Sequence, residues 1–344
     1  MRPAVLVTGG AGYVGSVTCK ALSKAGYLPV VYDNLSRGHR WAVKWGPLEE
    51  HDLKNRMALR ATLHAYKPVA VLHFAAYAYV GESMGAPALY FQNNVVNSLT
   101  LLECMRECGL DAIVFSSSCA TYGLPIEVPI KESHPQVPIS PYGETKRAIE
   151  GALRWYGVGH GVNWAALRYF NAAGADPDGE VGEHHSPETH LIPLAIEAGL
   201  GVRSHVKVHG TDYATPDGTA IRDYVHVTDL AEAHVRTLEY LLQGGKSRAF
   251  NLGTGKGYSV REVVRTVERV IGIRGISCRG PRRLGDPPRL VADASAASRV
   301  LRWQPQFSDL DNIVRTALGW HASRLPATIS PADRGELNMV SAAE

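Results

Sequence analysis

The chain has 344 residues, of which 45% are hydrophobic and 20% are charged, and its formal net charge is +3. This length and composition are typical of a globular protein with one large domain or two smaller ones. The small net charge, with Lys and Arg scattered along the chain, argues against nucleic-acid binding, and no apolar run approaches membrane-spanning length.

The five cysteines are odd in number and lack the paired spacing of a metal site, which predicts reduced thiols. The sequence begins directly on an apolar strand, without the basic and hydrophobic regions of a secretory signal. We therefore expect a cytoplasmic protein with no metal site and no membrane partner.

Short apolar runs alternate with helical patterns along the first half of the chain. Strands are predicted at AVLVTG, LPVVYDN, VAVLHFAA, AIVFSSS and NWAALRYFN. Helical patterns lie between these runs, and such alternation is typical of βαβ units with a parallel sheet. The predicted fold class is therefore α/β, a doubly wound parallel (Rossmann) sheet followed by a smaller C-terminal α/β domain.

After Asn171 the pattern breaks into AAGADPDGEVGEHHSPETH, which is rich in Gly, Pro and acidic residues. Helices are then predicted at LIPLAIEAG, VTDLAEAHVRTLEYLL and SVREVVRTVERVIG, with short strands at VKVHG and AFNLG. We predict a first domain at 1–171 and a second, mainly substrate-binding, domain at 172–321, from which some segments can return to the first sheet. A mobile tail is predicted at 322–344.

The first strand runs straight into the glycine-rich sequence TGGAGYVGS. Gly9, Gly12 and Gly15 fit G-x-x-G-x-x-G, and Gly10 opens an overlapping G-x-G-x-x-G. A pyrophosphate needs backbone N–H groups and a helix N-terminus close by, and side chains would block that approach. Asp33 ends the next strand at about the expected 20 residues downstream. The combination predicts a dinucleotide site.

Asp33 also bears on which dinucleotide is bound. Its carboxylate would accept hydrogen bonds from the adenosine ribose and repel a 2′-phosphate, which favours NAD over NADP. Arg37 and Arg40 lie nearby and are the features that favour NADP. Asp52 lies where a carboxylate could meet the adenine amine, although a surface acid is an equal alternative.

The sequence SPYGETK places Tyr142 four residues before Lys146, on one face of a predicted helix. A phenol is a poor base at neutral pH unless its anion is stabilised, and an ammonium at Lys146 could provide that stabilisation. Ser118 ends a predicted strand at the carboxyl edge of the sheet, so it would face the same crevice. The alternative is an ordinary amphipathic helix with a solvated lysine.

These motifs, taken together, resemble those of the extended short-chain dehydrogenase/reductase superfamily and, within it, the UDP-glucose 4-epimerases. The resemblance covers roughly residues 1 to 320 and rests on VLVTGGAGYVGS, HFAAYAYVGES, NNVVNS, FSSSCATYG, SPYGETK, LRYFNAAGADP, DGTAIRDYVHVTDLA, NLGTG and RRLGDPPRLVADAS. It implies NAD in the first domain and a UDP-hexose in the cleft beneath the second.

The resemblance also implies roles for individual residues. Tyr142 corresponds to the family's base, Lys146 to its partner, and Ser118 to the hydroxyl that helps bind and activate the sugar. The implied NAD contacts are Gly9, Gly12, Tyr13, Val14, Gly15, Asp33, Asn34, Asp52, Leu53, Phe74, Ala75, Ala76, Asn93, Ser116, Tyr142, Lys146 and Tyr169. The implied sugar-nucleotide contacts are Ser118, Tyr142, Asn171, Leu191, Arg222, Arg283, Asp286 and Leu290.

Two positions depart from the family pattern. Ala78 stands where many epimerases have a lysine against the cofactor, so one phosphate contact is missing. Leu290 stands where some have a tyrosine that narrows the sugar pocket, so the limit on the sugar's 2-substituent is not implied.

The implied activity is NAD-dependent interconversion of UDP-glucose and UDP-galactose. A 4,6-dehydratase would need an acid/base pair after Ser118, where this chain has Cys119 and Ala120. UDP-pentose or UDP-N-acetylhexosamine epimerisation and UDP-glucuronate decarboxylation stay open as alternatives.

A non-enzymatic NAD sensor is disfavoured because Ser118, Tyr142 and Lys146 are all present. The family resemblance further implies a homodimer, formed through NNVVNSLTLLECMREC and YGETKRAIEGALRWYG.

Overall fold

The computed structural model describes residues 2–283 and 285–324. The strands within these residues are β1 Ala4–Thr8, β2 Leu28–Tyr32, β3 Leu48–Glu49, β4 Ala70–His73, β5 Ala112–Ser118, β6 Asn163–Tyr169, β7 Asn171–Ala173, β8 Val206–His209, β9 Ile221–His226, β10 Arg248–Leu252, β11 Gly257–Ser259, β12 Ser277–Gly280 and β13 Arg289–Leu290. The helices are α1 Tyr13–Lys24, α2 Arg56–Tyr66, α3 Val80–Gly85, α4 Pro87–Tyr90, α5 Asn97–Glu107, α6 Pro141–His160, α7 Leu191–Gly199, α8 Val227–Leu242, α9 Val260–Ile271, α10 Ser295–Leu301 and α11 Leu310–Ser323. A π-helical turn at Phe91–Val96 joins α4 to α5, and 3₁₀ turns lie at Arg40–Ala42 and Cys119–Thr121.

Seven strands form one parallel sheet in the order β10-β6-β5-β4-β1-β2-β3. Successive residues of a strand face opposite sides of a sheet. Val5 of β1 therefore packs in one core with Leu22 of α1 and Leu230 of α8, whereas Leu6 packs in the other with Leu101 of α5. Helices on both faces explain why the strand sequences are continuously apolar, and the predicted doubly wound fold is confirmed.

The strand order reverses at β1, with β2 and β3 on one side and β4, β5 and β6 on the other. Open α/β sheets bind ligands in the crevice outside the carboxyl ends of their strands at such a reversal. At this point Thr8 ends β1 and His73 ends β4, and the Thr8 Oγ1 to His73 Nδ1 distance is 2.6 Å. The topology thus predicts a ligand site at the carboxyl ends of β1 and β4.

The chain beyond Asn171 builds a second layer of structure above this edge. A small sheet contains β7, β9, β11 and β13, while β8 pairs with β12. Helices α7, α9 and α11 pack around a separate core that includes Ile196, Val264 and Ile313.

Two segments of this second half belong to the first sheet. Strand β10 pairs with β6, with Phe250 opposite Leu167, and α8 packs in the same core as α1. The boundaries 1–171 and 172–321 stay a prediction. Of the predicted tail, Ala322 and Ser323 end α11, Arg324 follows them, and residues 325–344 lie outside the described range.

The structure also bears on the thiols and on membrane-spanning helices. All five cysteines are free thiols, and Cys19, Cys104 and Cys119 are buried. No helix within residues 2–283 and 285–324 is both long and apolar enough to cross a bilayer.

Candidate active site

A cavity of about 1250 Å³ lies along the carboxyl edge of the seven-stranded sheet and extends under the second layer. Its walls include every residue that the sequence analysis assigned to the cofactor or to the sugar nucleotide, and Ala78 as well. These residues span the chain from Gly9 to Leu290, so folding brings them to one place. Their individual roles stay predictions.

The glycine-rich turn after β1 forms one end of this cavity. Gly9 has φ of +74°, and a Cβ there would lie 2.5 Å from the backbone nitrogen of Ala75. A Cβ on Gly15 would lie 2.3 Å from the carbonyl oxygen of Gly9. At Gly12, by contrast, the nearest atom would be 3.3 Å from an added Cβ. The fold itself thus requires Gly9 and Gly15, whereas an added Cβ on Gly12 would make a tight but milder contact with the Gly9 carbonyl oxygen, and Gly12 lines the cavity.

Helix α1 begins in this turn, with Tyr13 and Val14 as its first residues. Gly12 is its N-cap, no side chain caps it, and its first turn contains no acidic residue. The N–H groups of such a helix end carry a partial positive charge and favour an anion. This end of the cavity is therefore suited to the pyrophosphate of a dinucleotide.

Asp33 lies beside the turn at the end of β2 and is buried. Its Oδ2 accepts from the Ala11 nitrogen at 3.0 Å and its Oδ1 from the Leu35 nitrogen at 2.9 Å. Burial raises the pKa of Asp33, and these two N–H groups oppose that rise. Each carboxylate oxygen keeps a further acceptor position, which suits ribose hydroxyls. Nearby, Asn34 Nδ2 donates to Asp52 Oδ2 at 2.9 Å.

The two arginines that favoured NADP both have acidic partners. Arg37 donates to the two carboxylate oxygens of Glu82 at 2.7 and 2.8 Å. Its guanidinium also lies 4.7 Å from the ring centroid of Tyr77 and 4.8 Å from that of Tyr79. Arg40 forms an ion pair with Glu50. The preference for NAD is thus strengthened.

The floor of the cavity follows β4, β5 and β6. Phe74, Ala75 and Ala76 follow β4, Ser116 belongs to β5 and Tyr169 to β6. Leu53, from the segment after β3, and Asn93, from the π-helical turn, also line this part of the cavity. The hydroxyls of Ser116 and Tyr169 hydrogen-bond to each other across β5 and β6. The floor is mainly apolar with a few convergent polar groups, as is common for cofactor sites.

Ser118, Tyr142 and Lys146 meet where β5 ends and α6 begins. Ser118 is the last residue of β5, Tyr142 is the second residue of α6, and Lys146 follows one turn later. A Cβ on Gly143 would lie 2.4 Å from the carbonyl oxygen of Ala120, so α6 begins in close contact with the turn after β5. This contact holds the phenol near the serine.

The electrostatics of this group follow from its burial. Burial raises the pKa of Tyr142 well above its usual value; Tyr169 also raises it, while hydrogen bonding from Ser118 lowers it. Burial lowers the pKa of Lys146 to about 7, against the opposing charge of Glu150. Lys146 Nζ donates to the Ser116 carbonyl at 2.6 Å and lies 5.8 Å from the Tyr142 ring centroid. Stabilisation of a phenolate by Lys146 stays a prediction for the cofactor-bound protein.

The second layer supplies the other end of the cavity. Arg222 of β9 forms an ion pair with Asp286, and Leu290 lies opposite Arg222 in the β9–β13 register. Leu290 packs against a small core that includes Cys119 and Phe170. The remaining predicted residues are Asn171 at the start of β7, Leu191 at the start of α7, and the exposed Arg283.

The sequence analysis missed a group of titratable side chains in the segment before α7. Glu183, His185, Glu188 and His190 each offer a ligand atom, and these atoms lie within 4.8 Å of one another. We refer to these four residues as the His–Glu cluster. Burial lowers the pKa of His185, but the two nearby glutamate carboxylates outweigh burial and raise the pKa to about 10. The alternation E-x-H-x-x-E-x-H was the signal, and it was interpreted only as a connecting loop.

Comparison with known proteins gives a consistent result. The chain matches the sequence model of the NAD dependent epimerase/dehydratase family over residues 5–253. It is 54% identical over 320 residues to UDP-glucose 4-epimerase from Rhizobium meliloti, covering 93% of this chain and 97% of that protein. Its fold is similar to that of UDP-glucose 4-epimerase from Brucella ovis in complex with NAD, with TM-score 0.90, 52% identity, and coverage of 92% and 97%. It is also similar to UDP-glucose-4-epimerase from Stenotrophomonas maltophila with bound NAD and formylated UDP-arabinopyranose, with TM-score 0.90, 37% identity, and coverage of 94% and 98%. The resemblance predicted from the motifs is confirmed.

Proposed function

Because the chain belongs to the NAD dependent epimerase/dehydratase family, we propose that it is an NAD-dependent UDP-glucose 4-epimerase that interconverts UDP-glucose and UDP-galactose. The observation that carries this proposal is that Ser118, Tyr142 and Lys146 line the same cavity as the glycine-rich turn. The relatives named above support the choice of sugar nucleotide.

The glycine-rich turn, Asp33 and Lys146 fit NAD. The uncapped start of α1 would hold the pyrophosphate, and Asp33 would accept from the adenosine ribose. Lys146, already fixed by the Ser116 carbonyl, would donate to the nicotinamide ribose. Bound NAD would supply a hydride acceptor for sugar C4 and, once reduced, a hydride donor to the opposite face.

Tyr142 would act as the base of the reaction. Its phenolate would take the proton of the C4 hydroxyl when C4 is oxidised, which would give a 4-keto sugar. After the keto sugar had rotated in the cavity, Tyr142 would return the proton to the C4 oxygen, so that no redox equivalent would be consumed overall. Ser118 positions the hydroxyl and the phenol for this transfer.

A base role requires the Tyr142 pKa to fall from the value that burial gives it. Opposite charge close to a phenolate lowers its pKa, and two positive groups would lie near it in the complex, Lys146 and the oxidised nicotinamide. The Ser118 hydroxyl already acts in the same direction. The base would thus become effective when the cofactor is in place.

The second layer would hold the nucleotide part of the substrate. A diphosphate favours guanidinium groups, and Arg222 and Arg283 both line that end of the cavity. Arg222 is held by Asp286, a carboxylate that would lie near the uridine ribose. Leu290 lacks the hydroxyl and the length of a tyrosine, which leaves space beside the sugar.

A panel of UDP-sugars tests the substrate assignment. Purified protein would be incubated with UDP-glucose, UDP-N-acetylglucosamine, a UDP-pentose and UDP-glucuronate, without added cofactor. We expect the highest kcat/KM for UDP-glucose, with UDP-galactose as the product. A higher value for the N-acetyl or pentose sugar, or carbon dioxide release from UDP-glucuronate, would favour the corresponding alternative.

We also propose that the protein is a cytoplasmic homodimer. Free cysteines suit a reducing compartment. The outer faces of α5 and α6 expose apolar residues, including Leu99, Trp155 and Val158. Two such faces would cover each other in a four-helix arrangement with twofold symmetry.

A further inference from the structure

The His–Glu cluster has the geometry of a small metal site. His185 Nδ1 lies 3.0 Å from Glu183 Oε1 and 3.8 Å from Glu188 Oε2. His190 Nδ1 hydrogen-bonds to Glu183 Oε1 and lies 4.0 Å from Glu188 Oε1. Four ligands at about 2.0–2.1 Å from a tetrahedral Zn²⁺ are separated from one another by about 3.3 Å. The observed spacings lie on both sides of that value.

The two buried carboxylates of the cluster would be stabilised by a cation. The side chains of Glu183 and Glu188 are only 4% and 6% exposed. Within residues 2–283 and 285–324, their ion-pair partners are His185 and His190, with no lysine or arginine among them. Buried carboxylates are costly unless they are paired or coordinate a metal. In the described part of the chain, Glu188 Oε1 also accepts from the backbone nitrogens of Thr189 and His190, but no permanently charged side chain pairs with either glutamate.

A second group of carboxylates differs from the His–Glu cluster because a lysine already pairs with it. Asp176, Asp178 and Glu180 also place three carboxylate oxygens close together. Lys20 Nζ lies 2.6 Å from each of them, so a side chain already supplies the cation. That group needs no ion, and the His–Glu cluster differs from it in this respect.

One atom of the cluster is buried without a hydrogen bond. His185 Nδ1 is enclosed, and although Glu183 Oε1 is near, no hydrogen bond forms with acceptable geometry. Once it has lost its proton, this buried imidazole nitrogen beside two carboxylates can serve as a metal ligand.

We propose that Glu183, His185, Glu188 and His190 bind one Zn²⁺ ion. Two imidazole nitrogens and two carboxylate oxygens are ligands that Zn²⁺ accepts, whereas Ca²⁺ and Mg²⁺ require oxygen ligands. One divalent ion would neutralise both carboxylates. Because all four ligands come from the protein, the site is structural rather than catalytic.

The location of the cluster indicates what the ion would stabilise. His190 is the N-cap of α7, whose first residue, Leu191, lines the substrate end of the cavity. The ring of His185 lies between Tyr13 of α1 and Tyr79, with centroids 6.4 Å and 5.7 Å away. A bound ion would therefore fix the wall that joins the glycine-rich turn to the start of α7.

Metal binding by the full-length protein tests this proposal without any activity assay. Protein treated with a chelator would be given Zn²⁺, freed of excess metal and analysed for metal content, with affinity measured by competition against a chromophoric chelator. We expect one Zn²⁺ per chain. Loss of a ligand in His185→Gln or Glu188→Gln should weaken binding more than about 100-fold, since second-shell changes alone cost about 10- to 100-fold.

His184→Gln is the matched control, because His184 is the adjacent histidine, lies outside the cluster and is exposed. It should bind Zn²⁺ like the parent protein. Zn²⁺ should also raise the Tm of the parent and of His184→Gln, but not that of His185→Gln. Circular dichroism of each metal-free variant checks that it is folded.

Cobalt substitution tests the unmodified chain and needs no variant. Co²⁺ bound to the parent protein should give the intense visible absorption of a tetrahedral site. Folded parent protein that binds neither Zn²⁺ nor Co²⁺ would overturn the proposal and leave two imidazolium ions as the cations. Equal Zn²⁺ affinity in His184→Gln and His185→Gln would overturn the assignment as well. Because these readouts do not involve a sugar nucleotide, failure here is independent of failure of the proposed function.

Discussion

At the residue scale, the proposed chemistry depends most on the phenol of Tyr142. Tyr142→Phe should lower kcat by about 100- to 10,000-fold, the usual range for loss of a general base, while NAD remains bound. Tyr156→Phe is a control on the same helix, where the hydroxyl donates to Glu103 at 2.5 Å and lies outside the cavity. Steady-state rates and NAD content distinguish the two variants. Turnover by Tyr142→Phe within tenfold of the parent would exclude the phenol as base.

Lys146 gives a pH-dependent prediction about stability. Burial lowers its pKa to about 7 in the folded protein, from 10.5 in the unfolded chain. Between these values the unfolded chain binds more protons at this site, so Lys146 makes the folded state more stable as the pH rises from 7 to 10. Below pH 7 its destabilising effect is fully present.

Urea unfolding of NAD-free parent and Lys146→Met at pH 7 and pH 10 measures this effect. The free energy of unfolding of the variant minus that of the parent should be more positive at pH 7 than at pH 10. Other titrating groups cancel in the comparison, because both proteins contain them. A difference that does not change with pH would show that Lys146 keeps an ordinary pKa in the folded protein.

At the scale of the elements, substitutions in the glycine-rich turn distinguish a glycine that the fold requires from one that NAD binding requires. Gly15→Ala places a Cβ 2.3 Å from the Gly9 carbonyl oxygen and should destabilise the fold by about 1–3 kcal/mol or more. Gly12→Ala would place its Cβ 3.3 Å from the same oxygen, a tight but milder contact, and should lower the Tm less than Gly15→Ala does. Its methyl group should nevertheless weaken NAD binding at least about tenfold, since it fills the space for the pyrophosphate. Thermal melts and NAD titrations measure both effects. Unchanged NAD affinity in Gly12→Ala would contradict the placement of the pyrophosphate.

The elements also show what could be predicted from the sequence. LIPLAIEAG predicted a helix that the structure has as Leu191–Gly199, because local periodicity and flanking breakers determine such an element. AFNLG predicted a strand, but its sequence does not indicate a partner. The structure pairs it with β6 in the first sheet, at a distance along the chain that no local pattern encodes.

Contacts between residues that are far apart along the chain also could not be predicted for the side chains of the site. The glycine-rich turn and the Tyr142–Lys146 spacing are local patterns, and both could be identified from the sequence. Arg37 was interpreted as favouring NADP because its partner, Glu82, is 45 residues away along the chain. The His–Glu cluster was missed because its burial and charge balance become visible only when the loop has folded.

At the scale of the whole molecule, the proposed dimer depends on the outer face of α6. The side chains of Trp155 and Val158 are 75% and 80% exposed in the isolated chain. Trp155→Glu would place a charge in the apolar interface and should convert the dimer to monomer. Met57→Glu is the matched control, because Met57 of α2 is 83% exposed and lies outside α5 and α6. Sedimentation velocity measures both variants. A parent protein that sediments as a monomer, or a dimer in Trp155→Glu, would contradict this interface.

The central claim is that one bound cofactor removes a hydride from the sugar and returns it, with no net oxidation. The most direct test incubates the purified protein separately with UDP-glucose and with UDP-galactose, and follows both the sugar composition and the absorbance of reduced cofactor. We predict that the two reactions approach the same mixture of the two sugars, with no net accumulation of NADH. Accumulation of NADH in proportion to product, or conversion in one direction only, would contradict the account.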